Sequence, residues 1–134
     1  PGITEVEAGG GIYGCVRYRK SFGVEVESAL TVLSTVTSRP TADRIICDAG
    51  FKATGNVSPD PELRNISDCA SIKFSAEHGI ITLSKGTPQP RVGDTIEFVP
   101  GYSDSAIFLH EYLYGVRDGL VETVWPVIGR GKLQ

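Results

Sequence analysis

Apolar and polar residues alternate with a period of two along most of the chain, and clusters of glycine, proline, aspartate and serine separate the alternating runs. Side chains two positions apart share one face of an extended backbone, so this pattern predicts half-buried β-strands. The expected strands are Gly11 to Arg19, Ala29 to Ser38, Arg44 to Cys47, Ser71 to Ser75, Ile80 to Ser84, Thr95 to Val99, Tyr112 to Arg117 and Leu120 to Pro126. Two adjacent pairs read as hairpins. In "YLYGVRDGLVETVW" the Asp118-Gly119 dipeptide supplies the positive-φ residues of a tight turn, and in "SIKFSAEHGIITLS" the turn falls near His78-Gly79. From Ala53 to Cys69 the chain is polar, holds two prolines and has no sustained period, which predicts a long surface excursion with one helical turn after Pro61. The strand spacing predicts a mainly β fold, a single antiparallel β-barrel-like domain over residues 1–134 with one or two short helical turns.

Composition narrows the function classes. A chain of 134 residues with 40% hydrophobic and 22% charged residues is long enough to bury a core of its own. A net charge of −3 offers no basic surface, so no nucleic acid is expected as a partner. No apolar run approaches the ~20 residues that cross a bilayer, so no membrane association is expected and a cytoplasmic location is the reading. Cys15, Cys47 and Cys69 are odd in number, far apart and without C-x-x-C spacing, which predicts buried free thiols in a reducing compartment. The sequence contains no methionine and opens on Pro1, so it reads as a portion processed from something longer.

Several stretches could carry chemistry. "GGGIYG" at Gly9 to Gly14 satisfies G-x-G-x-x-G, but a dinucleotide loop must open a helix, and the "CVRYRK" that follows alternates like a strand. A flexible entry hinge is the expectation there. Lys52 in "DAGFKA" would be a Schiff-base nucleophile if desolvated and a surface lysine otherwise, and base rates favour the surface. His78, at a hairpin turn, reads as locally hydrogen-bonded. The richest stretch is "VPGYSDSAIFLHE", in which Tyr102 and Asp104 are two apart and, on an extended segment, aim the same way, with His110 and Glu111 beyond an apolar "AIFL". An aspartate converging with a histidine would suit a divalent zinc, manganese or magnesium ion; a short helical turn N-capped by Asp104 is the competing account. A self-contained metal-dependent hydrolase would need more ligands than two histidines in separate segments provide.

Taken in order, "PGITEVEAGGGIYG", "TVTSRP" with "DRIICDAGFKA", "SAEHG", "GDTIEFVPGYSD", "FLHE" and "VRDGLVETVWPVIGRGK" resemble the C-terminal domain of the D-threonine aldolase and D-serine dehydratase family, fold-type III enzymes that use pyridoxal phosphate. The resemblance implies an N-terminal (β/α)8 barrel, absent from this chain, that holds the cofactor and the Schiff-base lysine. It also implies a homodimer, and a β-rich domain that closes the active site over a D-amino acid. Family members commonly carry H-x-C or H-x-D after the proline, and those side chains bind a divalent metal. The corresponding residues here are Tyr102 and Asp104, so tyrosine stands where histidine is expected. The resemblance thus leaves two roles for Tyr102, a metal ligand beside Asp104 or a proton donor or relay at the cofactor, with His110 as active-site support. It implies a lyase acting on β-hydroxy D-amino acids and inactive as this portion alone. The alternative is a non-catalytic β-barrel module for dimerisation or ligand binding with a degenerate metal site.

Overall fold

The computed structural model describes residues 2–5 and 9–132. In chain order it forms a 3-10 turn at Gly10–Ile12 and helix α1 (Val16–Phe22), followed by strands β1 (Val32–Thr41) and β2 (Arg44–Cys47). Helix α2 (Phe51–Thr54) precedes strands β3 (Glu62–Leu63), β4 (Cys69–Phe74), β5 (Gly79–Leu83) and β6 (Thr95–Val99). Helix α3 (Ser103–Ile107) then leads to strands β7 (Tyr112–Arg117) and β8 (Leu120–Pro126).

Six strands pair antiparallel in the order β3-β6-β1-β2-β5-β4. The two edge strands, β3 and β4, are consecutive in the chain, so the short link over 64–68 draws the edges together and the sheet curls into a nearly closed barrel. Alternation decides what lies inside. Val32 and Ser34 of β1 face Phe98 and Ile96 of β6, while Val36 faces Cys47 and Ile45 faces Ile81. These residues with Ala49 and Leu83 form the buried interior, and the Phe74 and Phe98 rings meet edge-on at 5.6 Å. Leu33, on the opposite face of β1, is exposed, as the period of two requires.

The expected mainly β, antiparallel barrel-like fold is the fold observed, with three short helices and a 3-10 turn where one or two helical turns were expected. The strand expected over Gly11 to Arg19 is instead the 3-10 turn and α1. The rings of Tyr18 and Phe22, four residues apart, meet tilted at 5.8 Å, a contact that helical spacing brings about and an extended strand does not. Gly23 ends it at φ 64°, where the Val24 N–H returns to the Tyr18 carbonyl, and Arg19 and Lys20 occupy the last turn. These stop signals were present in the sequence but were masked by the accidental alternation of "CVRYRK". The glycine run therefore does precede a helix, against the expectation, but Val16–Phe22 spans only two turns and its N-terminal amides are already bonded to the chain at Pro100 and Gly101.

The helical turn expected after Pro61 is corrected too. Glu62–Leu63 is the edge strand β3 on β6, and Arg19 and Lys20 of α1 ion-pair with Glu62 to cover that edge. The first long strand begins at Val32 and runs to Thr41, later than the Ala29 to Ser38 expected. The Asp118-Gly119 turn is as expected, with φ of 51° and 77°. However, β7 and β8 pair only with each other and stand outside the six-stranded sheet.

Candidate functional site

The site is built on the chain that leaves β6. Pro100 is fully buried and Gly101 follows, packed so closely that a side chain on Gly101 would fall 1.8 Å from the Pro59 carbonyl oxygen. Only glycine lets the two backbones approach to this distance. On the other side, α1 grips the same segment: Val16 N–H donates to the Pro100 carbonyl (3.2 Å) and Arg17 N–H to that of Gly101 (2.9 Å). Tyr102 is thus presented from a braced turn, at the N-terminal boundary of α3.

The spacing of Tyr102 and Asp104 suits an extended segment, yet Asp104 sits in the first turn of α3. The N-cap position expected for Asp104 is taken by Tyr102 in extended geometry, and Ser105 Oγ turns back to the Tyr102 carbonyl at 2.9 Å. The helix nevertheless brings the pair together. The Tyr102 hydroxyl donates to Asp104 Oδ2 at 2.8 Å, and buried Ser103 donates its Oγ to Asp104 Oδ1 at 3.1 Å. An acidic residue in the first turn is also favoured by the helix dipole.

Arg17 completes the cluster. Its guanidinium lies 4.9 Å from the centroid of the Tyr102 ring, within the range of a cation–π contact. The hydrogen bond to Asp104 and then the charge of Asp104 hold the Tyr102 phenol above its usual pKa, while Arg17 works weakly in the opposite direction. At neutral pH Tyr102 is therefore a protonated donor and Asp104 its acceptor.

His110 is placed elsewhere. Its Nε2 bonds the Ala53 carbonyl at 2.8 Å, fastening the exit of α3 to α2, and Gly55 beside it must lack a side chain because Ser105 Oγ lies 2.6 Å from where one would start. Lys52 is an exposed lysine paired with Glu77 at 2.5 Å, the bland reading of the two. His78 is exposed at the β4–β5 turn, where its backbone N–H bonds Ser75 Oγ. Cys15, Cys47 and Cys69 are all free, the first two buried, and burial first of all pushes the Cys69 thiol up.

Among the described residues, no group of three or more histidine, cysteine, aspartate or glutamate side chains is gathered to hold a metal ion. Both Asp104 oxygens already accept from hydroxyls, and Tyr102 keeps its proton, so this pair alone does not fit a divalent ion. An open groove of about 710 Å³ between 65–68 and 93–97 carries Asp68, Asp94 and Glu97 but none of Tyr102, Asp104 or His110. No described helix is long and apolar enough to cross a membrane.

The sequence hides Arg17, because the alternation of its segment predicts a strand in which it is one outward residue among several. Its role becomes visible only when α1 docks on the Pro100–Gly101 backbone.

The chain resembles known proteins over nearly its whole length. A D-threonine aldolase from an Arthrobacter species is 34% identical over 133 residues, 96% of this chain and 35% of that protein. A 3-hydroxy-D-aspartate aldolase from Paracoccus denitrificans is 40% identical over 108 residues, 81% of this chain and 27% of that protein. The crystal structure of D-threonine aldolase from Filomicrobium marinum superposes with a TM-score of 0.83 at 26% identity, covering 91% of this chain and 35% of that one. An uncharacterized protein of Mycobacterium bovis is 29% identical over 113 residues, 78% of this chain and 85% of its own length. The chain therefore spans about a third of the length of the aldolases it matches. The family model described as "Putative serine dehydratase domain" matches residues 29–116, which include Tyr102, Asp104 and His110. With two thirds of its residues inside that match, and an architecture shared with D-threonine aldolase, the chain belongs to the serine dehydratase domain family.

Proposed function

We propose that this chain is the C-terminal domain of a pyridoxal-phosphate-dependent lyase acting on β-hydroxy D-amino acids, such as D-threonine or 3-hydroxy-D-aspartate, and that it completes the active site of a (β/α)8 barrel preceding it. The family match and the length of the aldolase relatives support the reading. The observation that carries it is the Tyr102–Asp104 hydrogen bond, presented on a turn braced by α1 and by Pro59. Nothing in the buried interior needs a solvent-facing proton-transfer pair.

Held by the barrel, pyridoxal phosphate would supply an electron sink for breaking a bond at the substrate Cα. The residues of this chain act at the β-oxygen. In aldol cleavage the hydroxyl proton must leave as the carbonyl forms; Tyr102 can accept it while passing its own proton to Asp104. In dehydration Tyr102 gives its own proton to the departing oxygen and takes one back from solvent. Ser103 and Arg17 hold the carboxylate and the phenol ring in register. A divalent metal would enter this reading only with further ligands from the barrel. The domain works in the cytoplasm and within a homodimer; the bare apolar face of the β7–β8 hairpin, where Tyr114, Val116 and Val121 are each at least 60% exposed, supports the second part of that reading alone.

In the complete polypeptide, bound pyridoxal phosphate and cleavage of D-threonine or 3-hydroxy-D-aspartate are expected, with Tyr102→Phe slowing the reaction by about 10²–10⁴-fold. A polypeptide that binds no cofactor and cleaves neither substrate would sink the reading. The second reading, a non-catalytic module, is favoured by the mycobacterial relative, which is nearly as short as this chain. Cofactor content of the complete polypeptide separates the two.

A further inference from the structure

Arg17 differs from most of the other arginines in what it contacts. Arg19 pairs with Glu62, Arg64 with Glu97, Arg117 with Glu122 and Arg130 with Glu111, while Arg39 donates to the carbonyls of Ala42, Thr87 and Pro90. Each of these guanidiniums has a structural partner. Arg17, like Arg44 and Arg91, pairs with no carboxylate among the described residues, and of these three it is Arg17 that stands on an aromatic ring, the face of Tyr102. Its backbone is fixed by the bond from its own N–H to Gly101 and by the burial of its neighbour Val16, and its guanidinium rests on the Tyr102 ring. A flat, permanently charged fork is thus held ready beside the Tyr102–Asp104 pair, its donors unspent on any described carboxylate.

We propose that Arg17 recognises the distal carboxylate of a dicarboxylic β-hydroxy D-amino acid, making it the residue that selects such a substrate over one with a methyl group in that place. This rests on the reading of the chain as a lyase domain. The argument is one of adjacency. In a 3-hydroxyaspartate the hydroxyl and the second carboxylate sit on the same carbon, so the groups that handle them must be neighbours. Here Tyr102 donates to Asp104 with its hydroxyl and lies beneath Arg17 with its ring, so one side chain joins the oxygen-handling pair to the anion-binding fork. Asp104 keeps its negative charge under its two hydroxyl donors, so the substrate carboxylate belongs at Arg17 on the ring of Tyr102 and not on Asp104. A threonine side chain offers a methyl group at the same position, which a guanidinium cannot bind without losing water for nothing.

The test uses the complete polypeptide with its cofactor, and compares kcat/KM for D-threo-3-hydroxyaspartate and D-threonine in the wild type, Arg17→Gln and Arg17→Lys. The wild type is expected to favour the dicarboxylic substrate. Arg17→Gln should lower kcat/KM for that substrate about tenfold or more further than for D-threonine, whose own loss reads the support Arg17 gives the Tyr102 ring, and Arg17→Lys, which keeps the charge without the fork, should show a smaller difference between the two. An equal loss on both substrates would overturn the proposal, because Arg17 would then serve a group common to both or merely hold Tyr102. A simultaneous loss of pyridoxal phosphate affinity would identify that group as the cofactor phosphate. No change on either substrate, or a wild type that cleaves only D-threonine, would overturn it equally. A wild type that cleaves neither would remove the lyase reading itself, and this proposal with it. A Gln variant with a lowered unfolding midpoint is replaced by the Lys variant for the comparison.

Discussion

Tyr102 takes its character from the residue two positions on. Asp104 accepts its hydroxyl and adds a negative charge beside it, and both effects favour the protonated phenol. The sign of the test follows directly: Asp104→Asn removes the charge, so Tyr102 should ionise at lower pH than in the wild type, nearer its usual value of 10. Spectrophotometric titration of tyrosinate, with Tyr102→Phe to identify the signal, measures this, and an unchanged or upward-moved ionisation would contradict the assignment. Asp48 shows the opposite balance. Burial raises its pKa, but the Thr35 N–H and Ser34 Oγ, both 2.8 Å from Oδ1, outweigh that and hold the carboxyl below its usual 3.8. A depressed folded-state pKa stabilises the fold above the unfolded value and is lost as pH falls through the folded value. Asp48→Ala should therefore cost about 1–2 kcal/mol at neutral pH, mostly from leaving buried Ser34 unpartnered, since water screens the exposed charge. Part of the gap to the wild type should close in denaturant melts carried below pH 3.8.

At the scale of elements, the turn after β6 is where two backbones meet. Gly101→Ala places a methyl group 1.8 Å from a carbonyl oxygen, with backbone rather than a pliable side chain to give way. A loss of about 1–3 kcal/mol is expected from overpacking of this kind, together with an altered Tyr102 titration as the turn shifts. Thermal melts and the same spectrophotometric titration check both parts, and a variant as stable as the wild type would show that the turn moves freely. Strands β1, β2, β5, β6, β7 and β8 were legible because each has one wet and one dry face, or a tight turn, in its own residues. The segment over 11–22 has the look of a strand because "CVRYRK" alternates by coincidence, while the helical evidence lies in the spacing of Tyr18, Phe22 and Gly23. Strand β3 was invisible: a two-residue strand has no period, and exists because β6 offers it an edge.

The whole molecule is a curled sheet with a hairpin beside it. A two-stranded sheet on its own is marginal in water, and β7–β8 has Tyr114, Val116 and Val121 uncovered on its strands. The isolated chain should bind an apolar dye such as ANS, and Val116→Thr with Val121→Thr should lower that binding by about half without unfolding the six-stranded sheet, since neither residue belongs to its core. Dye fluorescence and far-UV circular dichroism read the two effects separately, and dye binding unaffected by both substitutions would show that the hairpin face is not the exposed apolar surface that matters. The isolated chain should also lack lyase activity, because the proposed chemistry needs the barrel.

The sequence by itself determined the class of the fold, the inward positions of the main strands, the Asp-Gly hairpin turn and the stretch in which Tyr102, Asp104 and His110 lie. These follow from contacts between residues near one another in the chain, where a period of two or a turn dipeptide carries the information. Tertiary structure alone decided what those residues do to one another. It turned the stretch helical while keeping Tyr102 on Asp104, sent His110 to the Ala53 carbonyl, and set the hairpin apart from the barrel. It also brought Arg17 onto the ring of Tyr102 from a helix 85 positions away by sequence number, a contact between distant segments that no local pattern encodes.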